Sequence, residues 1–236
     1  MPDALAAHAS AHAGDHGHGH AHHPAHAHHF ETMEQQAEAA TLGMWIFLVT
    51  EVMFFGGLFA AYMLYRVWYP EAWSEGSLEL DIRLGGLNTA VLIGSSLTMA
   101  FGVRCAQTGQ RLASVKWLLI TMARGAVFLV VKFFEYKHKY ELGHIPGANF
   151  HMEGPHADQI QIFLSLYFCM TGLHALHMII GLGLMTVITI MAWKGRFSPE
   201  WYTPVEMSGL YWHFVDIVWI FLFPLLYLVD RAHHFG

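Results

Sequence analysis

The sequence predicts an all-α protein: an integral membrane bundle of five transmembrane helices preceded by a disordered, His-rich N-terminal tail. Hydrophobic residues make up 55% of the 236 positions and charged residues only 13%, about half of the charged share in a typical soluble domain. The eight Trp, nine Tyr and 17 Phe suit aromatic belts at two membrane interfaces. The sequence also contains long apolar stretches that a soluble protein of this size could not bury, so the chain is expected in a membrane.

Five apolar segments are long enough to cross a hydrocarbon core of about 30 Å at about 1.5 Å per residue. We predict the spans at residues 41–68, 87–106, 113–136, 160–193 and 205–229. The fourth segment is longer than a simple crossing needs, so its helix should tilt or project from the membrane. No internal repeat relates the segments, which argues against a transporter built from inverted repeats. Residues 41–236 are therefore assigned to one transmembrane domain.

Residues 1–40 form a separate N-terminal region. Ten of the 19 histidines precede Phe30, in runs mixed with Ala and Gly, and such small side chains bury too little area to offset the entropy of ordering. We predict a largely disordered tail that ends in a polar lead-in. Because imidazole runs bind Zn²⁺, Cu²⁺ or Ni²⁺, a metal-binding tail and a solvated tail without metal both stay open. The net charge of −6 comes mostly from tail and loop acids and argues against nucleic acid as a partner.

The most informative residues are charges inside apolar segments. Glu51 lies in the first predicted span, Arg124 in the third and Asp216 in the fifth. A charge at the bilayer centre costs about 2.5–3.5 kcal/mol on insertion scales, so each side chain should face protein rather than lipid. Lys132 and Glu135 continue from Arg124 at helical spacing, which predicts one polar stripe on the third span.

Glu51 and Arg124 are expected at the same depth in the membrane. Odd-numbered spans cross in the same direction, and both residues lie a similar distance from the same side. We predict an ion pair between them, with Asp216 as the rival partner of Arg124. The alternative partner of Glu51 is His174 or His177, in which case Arg124 would reach an acid on a partner subunit.

Three histidines lie in the predicted spans. His174 and His177 share one segment at a spacing of three, and His213 with Asp216 repeats that spacing in the next. In membrane bundles, imidazoles join interhelical hydrogen bonds, and we expect that role here. A two-haem cytochrome or an oxidase core needs more axial ligands than these residues supply. We therefore predict no catalytic residue, no haem, no copper and no other metal ligand in the membrane part of this chain.

The second span carries a small residue at every fourth position. Such a ladder lets another backbone approach closely. We predict that this span makes its closest helix contact through the ladder, which consists of Gly86, Ala90, Gly94, Thr98 and Gly102.

Ordered motifs along the five spans resemble subunit 3 of the haem-copper terminal oxidases, the cytochrome c and quinol oxidases. The resemblance covers residues 41–229 and is to the short five-helix bacterial type. It implies that Glu51 is the family's intramembrane glutamate, that His174 and His177 are its paired histidines, and that His213 and Asp216 belong to its tryptophan-flanked motif. The motifs are GMWIFLVTEVMFFGGLF, LNTAVLIGSS, KFFEY, TGLHALHMIIG and YWHFVDIVWIFLF.

The resemblance implies a non-redox supporting subunit of a proton-pumping terminal oxidase, in which a neighbouring chain reduces O₂ to water in aerobic respiration. It implies haem and copper in the partner subunits, contacts with catalytic subunit 1 and with subunit 2, a larger respiratory supercomplex, and bound phospholipid. Arg124 departs from the family pattern, which leads us to expect an aliphatic residue there. An accessory subunit of a nitric oxide reductase and a small membrane metal-ion transporter are the alternative functions.

The expected location is the bacterial inner (cytoplasmic) membrane, as a multi-pass protein. Loops on the side of the N-terminus are shorter and more densely basic, which favours a cytoplasmic N-terminus. Five crossings then put the C-terminus in the periplasm.

Overall fold

The computed structural model describes residues 32–147, 150, 154–199 and 201–229, and the His-rich tail lies outside these ranges. The described residues confirm the all-α prediction, since every regular element in them is a helix. Contacts divide the chain into two units, residues 1–36 and 37–236. In the part of the first unit that is described, the Thr32 hydroxyl accepts from the Gln35 amide at 3.1 Å. The helices are α1 (Met33–Trp68), α2 (Pro70–Leu78), α3 (Ile82–Gln107), α4 (Arg111–Glu141), α5 (Ala157–Trp193) and α6 (Thr203–Tyr227).

Five of these helices, all except α2, are long and apolar enough to cross a membrane. The chain is thus a multi-pass membrane protein, and the predicted spans agree with the helices to within about five residues at most ends. The largest difference is at α1, which begins at Met33, inside the predicted polar lead-in. The residues there mix Ala with Glu and Gln. All three are good helix formers, and the polar Glu and Gln lower the hydropathy. A hydropathy criterion alone therefore starts this helix too late.

Helix α2 was missed by the sequence analysis because it is only nine residues long. Pro70 occupies its first position, where the missing N–H has no helical partner. Trp73 is fully buried against the rings of Tyr62 and Phe163, at 5.8 and 5.5 Å. A Cβ on Gly76 would come within 2.6 Å of the Phe163 ring. Helix α2 is therefore packed tightly on α5 and is part of the core.

Helices α3 and α4 form an antiparallel hairpin. Its turn contains Gly109 at φ 73°, a left-handed conformation that costs glycine little. Across the seam, the Thr98 and Thr121 hydroxyls are 2.9 Å apart, and Ser114 donates to the Gly102 carbonyl at 3.0 Å. Because the two helices run antiparallel, residues near the start of α3 lie beside residues near the end of α4.

Only part of the small-residue ladder lies against α4. Gly94, Thr98 and Gly102 face that helix, whereas Ala90 is exposed and Gly86 meets a ring of α6. Residues four apart advance about 40° beyond a full turn of a 3.6-residue helix. A strict four-residue ladder therefore winds around the helix, and its two ends cannot face one neighbour.

Helix α6 is the most buried of the spans. Its two buried tryptophans donate to hydroxyls on α3: Trp212 to Ser95 at 2.9 Å and Trp219 to Thr89 at 3.0 Å. Buried indole N–H groups need such partners. These two bonds therefore fix the register of α6 on α3.

The C-terminal end of α6 is held by side chains from two other helices. Tyr62 of α1 donates to the Leu225 carbonyl at 2.6 Å, and Ser77 of α2 donates to the Val229 carbonyl at 3.0 Å. The last carbonyls of a helix have no partner inside it. These two hydroxyls supply donors there and tie the ends of three helices together.

Helix α1 has one narrow buried stripe. Its buried residues, Leu48, Phe55 and Tyr62, recur at a spacing of seven, close to two helical turns. Phe55 contacts the ring of Phe214 at 6.4 Å. The rest of the membrane-spanning part of α1 is largely exposed and apolar, as expected of a surface that faces lipid or another subunit.

Candidate functional site

The interior of the bundle, near the end where α6 stops, contains a buried group of polar side chains, here called the Lys132 cluster: Lys132 and Glu135 of α4, Tyr167 of α5 and Tyr227 of α6. Lys132 donates to Glu135 at 2.9 Å and to the hydroxyls of Tyr167 and Tyr227 at 3.0 Å each. Both tyrosines in turn donate to the second oxygen of Glu135, at 3.0 and 2.6 Å. All four residues are buried. Two members of the predicted polar stripe, Lys132 and Glu135, thus lie in a cluster that joins three helices.

The hydrogen-bonding capacity of this cluster is fully used. An ammonium group has three donors, and each donor of Lys132 has a partner. Aromatic rings of Tyr136, Tyr167, Trp219 and Tyr227 lie 5.0–5.7 Å from Nζ of Lys132, within range of cation–π attraction. The group has no net charge when its two ionised members are paired. This arrangement holds helices together and leaves no donor of the ammonium free for a ligand.

A second polar group lies beside the first, near the turn between α2 and α3. Buried Lys139 donates to the Glu79 carbonyl, and its Nζ is 3.4 Å from the Glu79 carboxylate. His144 Nδ1 lies 3.2 Å from the same carboxylate. A cavity of about 280 Å³ opens here and reaches Glu135, with His138 also in its wall. The Lys132 cluster is thus closed toward the membrane centre and approached by a cavity at one end.

Glu51 pairs with His177, so the predicted Glu51–Arg124 ion pair is wrong. Glu51 Oε2 lies 3.1 Å from Nε2 of His177, and Nδ1 of His177 lies 2.8 Å from the Leu173 carbonyl. The side chains of α1 reach α5 and α6, whereas α4 packs between α3 and α5. The first and third spans are therefore not neighbours, and equal depth cannot bring their charges together.

The geometry of this pair fixes its net charge and the position of one of its two protons. A carbonyl oxygen only accepts, so Nδ1 of His177 carries a proton. The contact with Glu51 needs a second proton, held by either Nε2 or the carboxyl group. In both arrangements the pair has no net charge, which suits its half-buried position between α1 and α5.

His174 and His177 do not form one site, although they are three residues apart. His174 is fully buried against the rings of Phe128 and Trp219, at 5.3 and 5.2 Å, and neither ring nitrogen has a hydrogen-bond partner among the described residues. His177 faces α1 instead. The interhelical hydrogen bond expected for these histidines is thus present at one of the two.

His213 and Asp216 both lie beside Ser96 of α3. His213 Nδ1 lies 2.6 Å from the Ser96 hydroxyl of α3, which is the expected interhelical bond. Asp216 is 2% exposed, its carboxyl group also lies beside the Ser96 hydroxyl, and it forms no ion pair within the described ranges. The ion pair of Asp216 with Arg124, the rival prediction, is therefore also absent there.

Arg124 does not join the polar stripe that the sequence predicts. It is half-buried, while Lys132 and Glu135 are buried. Eight residues of an α-helix rotate by about 80° beyond two full turns, so Arg124 points to the flank of α4 when Lys132 points to the core. Its guanidinium lies over Gly94 of α3.

The sequence analysis missed the hydroxyl groups that complete the polar clusters. Tyr167 and Tyr227 sit in apolar segments, where an aromatic residue usually fills space, and no spacing rule connects them to Lys132. Glu79 and Lys139 were missed because they lie outside the predicted spans. A buried lysine and glutamate on one helix face were a signal that further polar partners must exist.

Among the described residues, no group of three or more His, Cys, Asp or Glu side chains could hold a metal ion.

Comparison with known proteins identifies the family of this chain. A family model described as cytochrome c oxidase subunit III matches residues 23–230.

Similar proteins carry the same description. The cytochrome c oxidase subunit 3 of Thermostichus vulcanus is 35% identical over 207 residues, 87% of this chain and 92% of that protein. The protein of that name from Corynebacterium diphtheriae is 35% identical over 192 residues, 80% of this chain and 88% of its own length. The heme-copper oxidase subunit I+III of Aeropyrum pernix is 30% identical over 212 residues, 87% of this chain but 24% of that protein. This chain belongs to the cytochrome c oxidase subunit III family and is a non-catalytic, supporting subunit of a haem-copper oxidase.

Proposed function

We propose that this subunit supports a proton-pumping terminal oxidase whose catalytic subunit 1 holds haem and copper and reduces O₂ to water. It would also contact subunit 2, and the oxidase would be part of a larger respiratory supercomplex. The Aeropyrum pernix relative is described as subunit I+III, which supports adjacency of subunits 1 and 3. Glu51, Glu135 and Asp216 would then organise the bundle rather than react.

One observation carries this proposal: Lys132, Glu135 and Glu51 are each bonded to partners inside the bundle. Lys132 and Glu135 satisfy each other with two tyrosines, and Glu51 is bonded to His177. A catalytic group needs a side that is open to its substrate, and a transporter needs a continuous polar path across the membrane. The saturated geometry of these pairs instead supports a rigid scaffold for a neighbouring chain.

We further propose bound phospholipid at one outer groove of the bundle. A cavity of about 250 Å³ lies between α4 and α5, with an almost wholly apolar wall that includes Met122 and Trp193. Lys194 stands at its rim. An acyl chain would fit the apolar wall, and the ammonium group would attract an anionic headgroup.

The proposed location is the bacterial inner membrane, with the N-terminus in the cytoplasm and the C-terminus in the periplasm. Support comes from the odd number of candidate spans and from the basic residues in or beside the short turns after α3 and α5.

The test is to compare the oxidase complex with and without this subunit. A supporting role predicts a similar initial rate of O₂ consumption in both preparations and a faster loss of rate and of proton pumping during turnover in the complex that lacks it. Identical time courses would argue against support. Complete loss of the initial rate would instead assign this chain a direct part in the reaction.

A further inference from the structure

Arg124 lies near the middle of the membrane. It is thirteen residues from the start of α4 at Arg111 and seventeen from its end at Glu141, or about 20 and 26 Å at 1.5 Å per residue. Gly94 is likewise thirteen residues from the end of α3 at Gln107. Both ends of the hairpin therefore place this guanidinium deep in the hydrocarbon region.

The side chain of Arg124 lies across α3 and does not extend toward the membrane surface. A methyl group on Gly94 would overlap with Nη1 of Arg124, so the absence of a side chain at Gly94 makes room for the guanidinium. Arginines near helix ends can reach along the helix to the interface. Here the charge stays at the level of Gly94, too deep for a lipid phosphate to approach.

Nothing in the described part of the chain neutralises this charge. No carboxylate there lies within 4 Å of Arg124, and no hydrogen bond to its side chain is formed there. Glu51 is taken by His177, and Asp216 is buried in the bundle on α6. An unpaired charge this deep in hydrocarbon is costly, so its counter-charge must come from elsewhere.

We propose that the α3–α4 face around Arg124 and Gly94 docks a membrane helix of a partner oxidase subunit, and that this helix carries an Asp or Glu at the same depth. The surrounding surface fits a helix, since Leu97 and Val127, one turn from Gly94 and Arg124, are exposed and apolar. A second copy of this chain fits less well, because its carboxylates at this depth are Glu51 and Asp216, which are paired or buried. The proposal rests on the proposed function in one respect, the existence of a partner subunit.

The first test maps the occupant of this face in the intact complex. A photo-reactive amino acid at Val127 should cross-link to a partner membrane segment that contains an Asp or Glu within a few residues of the cross-linked position. The matched control is Ile180, which is exposed on α5. It lies thirteen residues from the end of its helix, as Gly94 does from the end of α3. Cross-links from Val127 only to lipid or to another copy of this chain would overturn the proposal.

The second test removes or displaces the charge. Arg124→Leu should lower the fraction of partner subunit retained during detergent purification on the order of tenfold, because it leaves the partner's carboxylate unpaired. Gly94→Ala keeps the charge but displaces the guanidinium, and it should lower retention in the same direction. Lys137→Leu, which removes an exposed charge near the end of the same helix, should leave retention unchanged.

Misfolding is distinguished by the stability of the isolated chain. Arg124 has no internal counter-charge in the described residues, so Arg124→Leu should not lower the melting temperature of the chain purified alone. Wild-type retention of the partner together with equal retention by Arg124→Leu would refute this inference but not the proposed function. Failure of the wild-type chain to retain any haem-bearing partner would refute the proposed function itself.

Discussion

Replacing Lys132 by methionine isolates the cost of leaving Glu135 buried without a cation. Lys132 and Glu135 are 3% and 5% exposed and 2.9 Å apart. Methionine fills a similar volume, but Glu135 keeps only the two tyrosine hydroxyls as donors. Removal of one partner of a buried ion pair typically costs about 3–5 kcal/mol. We expect a loss of this size in the free energy of unfolding.

A pair on the same helix provides the control. Lys137 and Glu141 are 3.8 Å apart and 59% and 58% exposed, and exposed helical pairs contribute only about 0.3–0.5 kcal/mol. Lys137→Met should therefore have a small effect. The measurement is equilibrium unfolding of the purified chain in mild detergent by titration with sodium dodecyl sulfate, followed by tryptophan fluorescence.

The double variant Lys132→Met with Glu135→Gln tests whether the two charges act together. It removes both charges, so it should cost less than Lys132→Met alone. Equal losses for Lys132→Met and Lys137→Met would refute the reasoning, as would a double variant that costs the sum of its two single changes.

Three further predictions concern contacts between helices, each measured by the same unfolding titration. Glu51→Gln can still donate to Nε2 of His177 and should cost under about 1 kcal/mol, whereas Glu51→Leu should cost about 1–3 kcal/mol; equal losses would contradict the pair. Gly125→Ala brings a Cβ within 2.7 Å of the Trp212 ring and should cost about 1–3 kcal/mol, while Gly183→Ala, with open space around it, should be neutral. Tyr62→Phe removes a donor to the end of α6 and should cost about 0.5–1.5 kcal/mol; no change would mean that this bond does not hold the helix.

The five spans could be predicted because hydropathy over about twenty residues is a property of the local sequence. Helix α2 could not, since its nine residues are ordered by Trp73, which needs rings from α1 and α5 to become buried. The early start of α1 was missed for a related reason. Its first turns are stable as a helix through Ala, Glu and Gln, and hydropathy does not register that preference.

The polar residues were found as individuals, but their partners were not. Spacing placed Lys132 and Glu135 on one polar stripe of a single helix, and in the structure the two side chains are 2.9 Å apart. Glu51 required the order of the helices around the bundle, which depth cannot supply. Arg124 required the rotation of α4, because a step of four residues drifts by about 40° each time.

The most direct test of the central claim is purification of the complex through a tag on this subunit. If the chain is a non-catalytic subunit of a haem-copper oxidase, it should co-migrate in mild detergent with haem absorbance and with the catalytic subunit identified by mass spectrometry. The same chain expressed alone should carry no haem absorbance. Haem bound to the isolated chain, or a purified complex that contains neither haem nor an oxidase subunit, would contradict the account.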